Sequence, residues 1–225
     1  MNNSYKTEKE RVKLLVGVGV FAALATVISF ATSFIKVGFL SLDMGDIIIV
    51  LASYIYGPVS GVAASLISSL CGMLYSGTEF WGFLMDFASS AVFSFVASFV
   101  YYRRKNFKLA IVGIYCAVLA VLVVMMPLNI LITPLYTGKT SYEVLLMIPT
   151  LLLPFNFFKT AFNGGAVLLL YKPIVKALRG AKLVPSVSQN KIQGENKANS
   201  YGIYSLIFGI ITVAVAVTGL IILAI

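Results

Sequence analysis

Histidine is absent from the 225 residues, there are only two cysteines, and charged residues make up no more than 11% of the chain. Without histidine, most zinc sites and all histidine-based acid–base chemistry are excluded. Cys71 and Cys116 both fall in apolar stretches and show no C-x-x-C spacing, so they read as packing residues rather than a redox or metal pair. No G-x-x-x-x-G-K-[ST] phosphate loop occurs, which rules out ATP hydrolysis by that route. Polar surface is also scarce: with 60% hydrophobic residues the chain cannot clothe a water-soluble globule, and a bilayer must supply the missing solvent.

What is present fits that solvent. Apolar stretches of the roughly 20 residues needed to span a bilayer run over 12–35, 80–102, 109–133, 144–171 and 203–225. A further block, 46–74, is interrupted by Gly57-Pro58. Proline lacks an amide donor and disfavours helix in the residue before it, so this block predicts two short helices meeting at a turn. The expected fold is therefore all-α and polytopic: six spans plus one more at the C-terminus. The first apolar run continues past Ala31 without a cleavage-like small-x-small site, and is expected to stay in the mature protein.

Seventeen basic residues face eight acidic ones, for a formal charge of +9. They cluster: Lys6, Lys9, Arg11 and Lys13 precede the first span, Arg103, Arg104, Lys105 and Lys108 lie between two central spans, and Lys172, Lys176, Arg179, Lys182, Lys191 and Lys197 follow the sixth. The opposite loops hold only Lys36 and Lys139. By the positive-inside rule the N-terminus is cytoplasmic in a multi-pass cell-membrane protein, and the charge needs no nucleic-acid partner. Residues 1–11 read as a cytoplasmic lead, 12–179 as a six-helix domain, 180–202 as a polar linker and 203–225 as an additional span.

Ionisable groups inside spans are costly and so are functional candidates. Counting about 1.5 Å per residue from the inner charge clusters places Lys159 roughly 20 Å, Asp86 roughly 25 Å and Asn129 roughly 30 Å up, all in the outer third of a hydrocarbon core of about 30 Å. Asp43 and Asp46 stand in the loop before the second span, on the same side. Shared depth on independent helices predicts an outward-opening pocket under the loop 37–45. Each residue alone has a plainer reading: a lysine that snorkels to the interface, an Asp86 that caps a loop or pairs with Lys159, an Asn129 that satisfies a carbonyl freed by Pro127.

PFNFFKTAFNGG is the most informative stretch. Asn156, Lys159 and Asn163 follow at i, i+3 and i+7 and share one helical face, among Phe155, Phe157, Phe158 and Phe162. Amides that donate and accept, an ammonium that donates, and aromatic bulk together suit a flat heterocycle. Such stripes also mediate helix packing.

FLSLDMGDIIIVLASYIYGPVSGVAASLI (39–67), PLNILITPLY (127–136) and LPFNFFK (153–159) resemble elements of the substrate-binding S components of energy-coupling factor (ECF) vitamin transporters, most of all the riboflavin-specific group. The likeness covers roughly residues 10–180. It implies a six-helix S-component core, to which 203–225 is an addition. It also implies that Asn129, Asn156 and Lys159 hydrogen-bond an isoalloxazine ring, with Leu40 closing over it; riboflavin or a related flavin would be transported cargo and not a cofactor. It further implies partnership with a transmembrane T component and two ATPase subunits. Gly19-x-x-x-Ala23, with Ala22 and Thr26 nearby, is similar to the small-residue face through which these proteins dock, although contact with a neighbouring helix of the same chain explains it too. The stretch GTEFWGFLMDFASS (77–90), with Glu79, Trp81 and Asp86, departs from the riboflavin-group pattern, which leaves an S component for another vitamin or small heterocycle as the alternative.

Two other function classes fit less well. A lipid-modifying membrane enzyme would want paired carboxylates or a nucleophile on the cytoplasmic side, whereas Asp43, Asp46 and Asp86 map outside. A stand-alone carrier or channel would want polar residues through the full depth of the membrane, and the inner halves of these spans are almost purely apolar.

Overall fold

The structure is a computed structural model that describes residues 2–76, 79–104, 107–180 and 199–224. Helix α1 (Asn2–Thr32) runs unbroken from the charged lead into the first span, with no glycine or proline before Gly17 to interrupt it. Helices α2 (Gly45–Tyr56) and α3 (Pro58–Ser76) meet at Gly57, whose φ of 113° is open to glycine and strained for any side chain. Pro58 opens α3 where a missing amide proton costs nothing. Next come α4 (Glu79–Tyr102) and α5 (Phe107–Thr137), the latter carrying Pro127 and Pro134 inside a continuous helix.

The span expected at 144–171 is in fact composite. Thr140 and Glu143 form a reciprocal cap that starts α6 (Ser141–Met147). A π-helical turn follows over Ile148–Leu152, and only then does α7 (Leu153–Gly180) begin. The extra helix is α8 (Asn199–Ala224). Most of the linker expected at 180–202 falls on 181–198, outside the described residues. Between α1 and α2 the chain also forms a two-strand ribbon, β1 (Lys36–Val37) antiparallel to β2 (Leu40–Ser41), turned by Gly38 at φ 62°. The all-α expectation otherwise holds.

Among the described residues, five helical stretches are long and apolar enough to cross a membrane, the composite Ser141–Tyr171 included, while α8 contributes the shorter apolar stretch Gly209–Leu223 where a full span was expected. The short α2 is different. At about 1.5 Å per residue its 12 residues cover about 18 Å, well under the ~30 Å hydrocarbon layer, so one end must start within it. It is also the most enclosed element, with nine of its residues buried. Val50, Leu51 and Tyr54 pack in one core with Phe93 and Ala97 of α4, and with Ile114 and Val121 of α5. Apolar side chains on the outside, such as Leu119, Val123 and Ile222, face outward, as a lipid solvent requires.

Close approach between α4 and α5 depends on Gly113, where an added Cβ would stand 2.5 Å from the Ala97 carbonyl oxygen. Backbone cannot yield as a flexible side chain does. Gly113→Leu is therefore expected to destabilise by about 1–3 kcal/mol through overpacking, seen as a lower melting temperature in detergent. Gly72→Ala, whose nearest neighbour would be 3.8 Å away, serves as the matched control and should leave it unchanged.

Candidate functional site

The polar residues singled out by depth converge on α2, α4, α5, α7 and the ribbon. At the centre is a pair: Lys159 Nζ lies 3.8 Å from Asp46 Oδ2, with the two side chains 9% and 1% exposed. Asp46 stands in the first turn of α2 rather than in the loop before it, so it enters the interior at the head of a short helix. Its other oxygen accepts a hydrogen bond from Ser90 of α4, and Asn163 Nδ2 donates to Oδ2 at 3.3 Å. The pairing of Lys159 with Asp86 considered from sequence is not the one found. Asp86 lines the cleft from α4 and accepts a hydrogen bond from Ser69 Oγ at 2.6 Å.

Beside this pair opens a cleft of about 630 Å³, open solvent at its mouth included. Asn129, Asn156 and Lys159 form its polar wall, Met125, Tyr136 and Phe155 its apolar wall, and Leu40 of β2 covers it. A second hollow meets it at Phe39, Ser41, Gly82 and Asp86 and extends outward past Ser29, Lys36 and Tyr75. Five of the seven residues expected from sequence at the site (Leu40, Asp86, Asn129, Asn156 and Lys159) thus sit together around one cleft, with Asp86 also at its junction with the second hollow.

The remaining two hold the cover in place. Asp43 Oδ1 accepts from Ser29 Oγ at 2.6 Å and from the Gly45 amide at 2.7 Å, tying the loop to α1 and to the start of α2, while the side of the residue faces the outer hollow. Asn163 is fully buried and donates to the Asp43 carbonyl at 2.7 Å. It lines neither hollow, so the three-residue stripe on α7 divides: Asn156 and Lys159 face the cleft, and Asn163 fastens the loop.

Local backbone accounts for the aim of these side chains. The π turn puts an extra residue into the ladder immediately before α7, with the Leu153 amide reaching back to the Ile148 carbonyl. Asn156 Nδ2 donates to the Leu152 carbonyl at 2.8 Å, and Asn129 Nδ2 to the Met125 carbonyl at 2.8 Å. In each case the amide hydrogen bonds its own helix one turn back, which leaves acceptor capacity toward the cleft. Asn129 Oδ1 also accepts from Thr133 at 3.0 Å.

Two residues of this site were not singled out as ligand candidates from sequence. Asp46 stands at the very edge of the apolar block 46–74 and reads from sequence as part of the loop before it, whereas α2 begins one residue earlier, at Gly45. Ser89 was passed over because serine is common in apolar helices. Its hydroxyl is buried at the cleft wall with no hydrogen-bond partner among the described residues. The signal available was spacing: Gly82, Asp86 and Ser89 recur at i, i+4 and i+7 on α4.

On α1 the small-residue face splits. Gly19 and Ala23 are exposed, and nothing lies within 4 Å of a Cβ built on Gly19. Ala22 is fully buried with Val18, Ala25, Ile49 and Ala64, and Thr26 Oγ1 bonds the Ala22 carbonyl at 2.9 Å and Ser68 at 3.4 Å. Ala22 and Thr26 therefore serve intramolecular packing against α2 and α3, because a helix turns 100° per residue and adjacent small residues cannot share one outward face.

Compared with known proteins, residues 13–175 match a family model described as ECF transporter, substrate-specific component. Over 188 residues the chain is 27% identical to the riboflavin transporter RibU of Staphylococcus aureus (strain TCH60), covering 80% of this chain and 99% of that protein. A solved structure of the S component of a bacterial ECF transporter superposes with a TM-score of 0.63 at 27% identity, over 75% of this chain and 98% of that one.

The buried pair makes a specific stability prediction. Asp46→Asn leaves the Lys159 ammonium enclosed without its counter-charge and is expected to destabilise by about 3–5 kcal/mol. Adding Lys159→Met to it should recover most of that loss in thermal unfolding. A double variant no more stable than Asp46→Asn alone would refute the pairing.

Proposed function

The chain belongs to the family of substrate-specific components of ECF transporters, and on that premise we propose that it captures riboflavin from the extracellular side for uptake. It is a transporter component and not an enzyme. The observation that carries the ligand assignment is the single polar wall of Asn129, Asn156 and Lys159 facing Phe155, Tyr136 and Met125 under Leu40. An isoalloxazine ring offers carbonyl oxygens, an imide N–H and a ring nitrogen along one edge. Two amides and an ammonium match that edge with donors and acceptors, and the apolar residues cover the rest of the tricycle. The outer hollow, with Ser29, Ser33, Ser41 and Ser69, suits a hydroxylated side chain. Twenty-seven per cent identity to a riboflavin transporter supports the same reading.

Energy must come from elsewhere, since the chain has no phosphate loop. The partners proposed are a transmembrane T component and two ATPase subunits, with Gly19 and Ala23 of α1 as the smooth exposed patch for docking. The orientation proposed is N-terminus inside and cleft outside, supported by the distribution of lysine and arginine. ATPase cycling would then reorient the loaded subunit, and the ligand would leave toward the cytoplasm.

Titrating riboflavin into the detergent-solubilised protein is expected to quench flavin fluorescence saturably. Asn156→Ala and Lys159→Ala should each weaken binding by about 1–3 kcal/mol, roughly 5- to 150-fold in Kd. Unchanged affinity in both variants would sink the site, and absent quenching with no co-purifying flavin would sink the ligand.

A further inference from the structure

Helix α8 lies wholly outside the stretch 13–175 shared with the family, yet it packs against the elements that build the cleft. It lies antiparallel along α7: Gly209 is beside Gly165 and Leu169 near one end, and Gly219 is beside Phe158 near the other. The glycines on both helices let them approach closely, a Cβ on Gly209 standing 2.8 Å from Leu169. A Cβ on Gly165 would stand 2.9 Å from Val213 and 3.3 Å from the Gly209 carbonyl oxygen, and a Cβ on Gly219 would stand 2.4 Å from the Phe158 ring. One turn of α8 goes further. Leu220, 9% exposed, shares a buried cluster with Val37 of the ribbon, Leu42 of the covering loop and Phe155 of the cleft wall, and Leu223 packs against the same group. Contacts between α8 and β1 complete the arrangement.

We infer that α8 is a fixed outer wall of the ligand site, and that Leu220 is a positioning residue that holds the covering ribbon and Phe155 in place over the cleft. This rests on reading the cleft as a ligand site, but the mechanical part stands on packing alone. On the ribbon, Val37 is buried at 5%, and its neighbours in the cluster come from α7, α8 and its own loop. Removing Leu220 takes away the contribution of α8 at its centre. The cover then opens more often, and because opening precedes escape, the effect falls on ligand departure more than arrival. The six-helix core has its own loop fastenings through Asp43 and Asn163, so the addition tightens a cover that already exists.

The test uses the full chain. In ligand-free protein, Leu220→Ala is expected to speed amide hydrogen exchange across residues 36–42. With riboflavin bound, it should raise the dissociation rate about tenfold while leaving the association rate nearly unchanged. Leu220→Met restores both, and Val215→Ala, on the exposed face of the same helix, changes neither. Should Leu220→Ala fail to fold, Leu220→Val, which removes a single methylene, is read in the same two assays. Unchanged exchange in the ribbon overturns the inference, as does an equal effect from Val215→Ala. Faster exchange in a protein that binds no riboflavin supports the role of α8 and overturns the riboflavin assignment instead.

Discussion

A buried carboxylate and a buried ammonium, Asp46 and Lys159 at 3.8 Å, set the arrangement around which the cleft-bearing part of this protein is organised. Neither charge is tolerable alone in an apolar layer, so α2 and α7 must meet where the two can pair. Ser90 and Asn163 satisfy further valences of the same carboxylate, which draws α4 in and fixes the rotation of α7. The pair thus specifies the geometry of three helices as much as it stabilises them.

From that node the covering loop inherits its position. Asn163 reaches from the carboxylate to the Asp43 carbonyl, and Asp43 in turn is held by Ser29 and by the start of α2. The cover is therefore fastened on its polar side by hydrogen bonds and on its apolar side by the cluster of Val37, Leu42, Phe155 and Leu220. Between the two fastenings lies the cleft, with Lys159 in its wall. A charge pair that orders the scaffold also places one donor in the cleft wall, which is how a membrane protein can keep a buried lysine.

Much of this was legible beforehand. Apolar run lengths foretold the long helices, Gly57-Pro58 the turn between α2 and α3, and the outer-third depth of Asn129, Lys159 and Asp86 a site at one level. Asp46 was placed one step too early because a charged residue at the edge of an apolar run reads as loop, whereas here it stands in the first turn of a short helix with most of its residues buried. The division of the α7 stripe was equally hidden: Asn156 and Asn163 at i and i+7 differ by only about 20° in azimuth, and it is the rise of about 10 Å between them that separates a cleft residue from a buried fastener.

By itself, then, the sequence determined the apolar solvent, the long apolar helices and the segments on which basic and polar residues fall, because each of these follows from local composition. Only the tertiary structure decided the partners: that Lys159 meets Asp46 and not Asp86, that Ala22 and Thr26 turn inward while Gly19 and Ala23 stay exposed, and that α8 seats Leu220 against the cover. The reason is physical. Pairing and facing depend on the azimuth and crossing of helices, which packing among distant side chains sets and which no single segment carries.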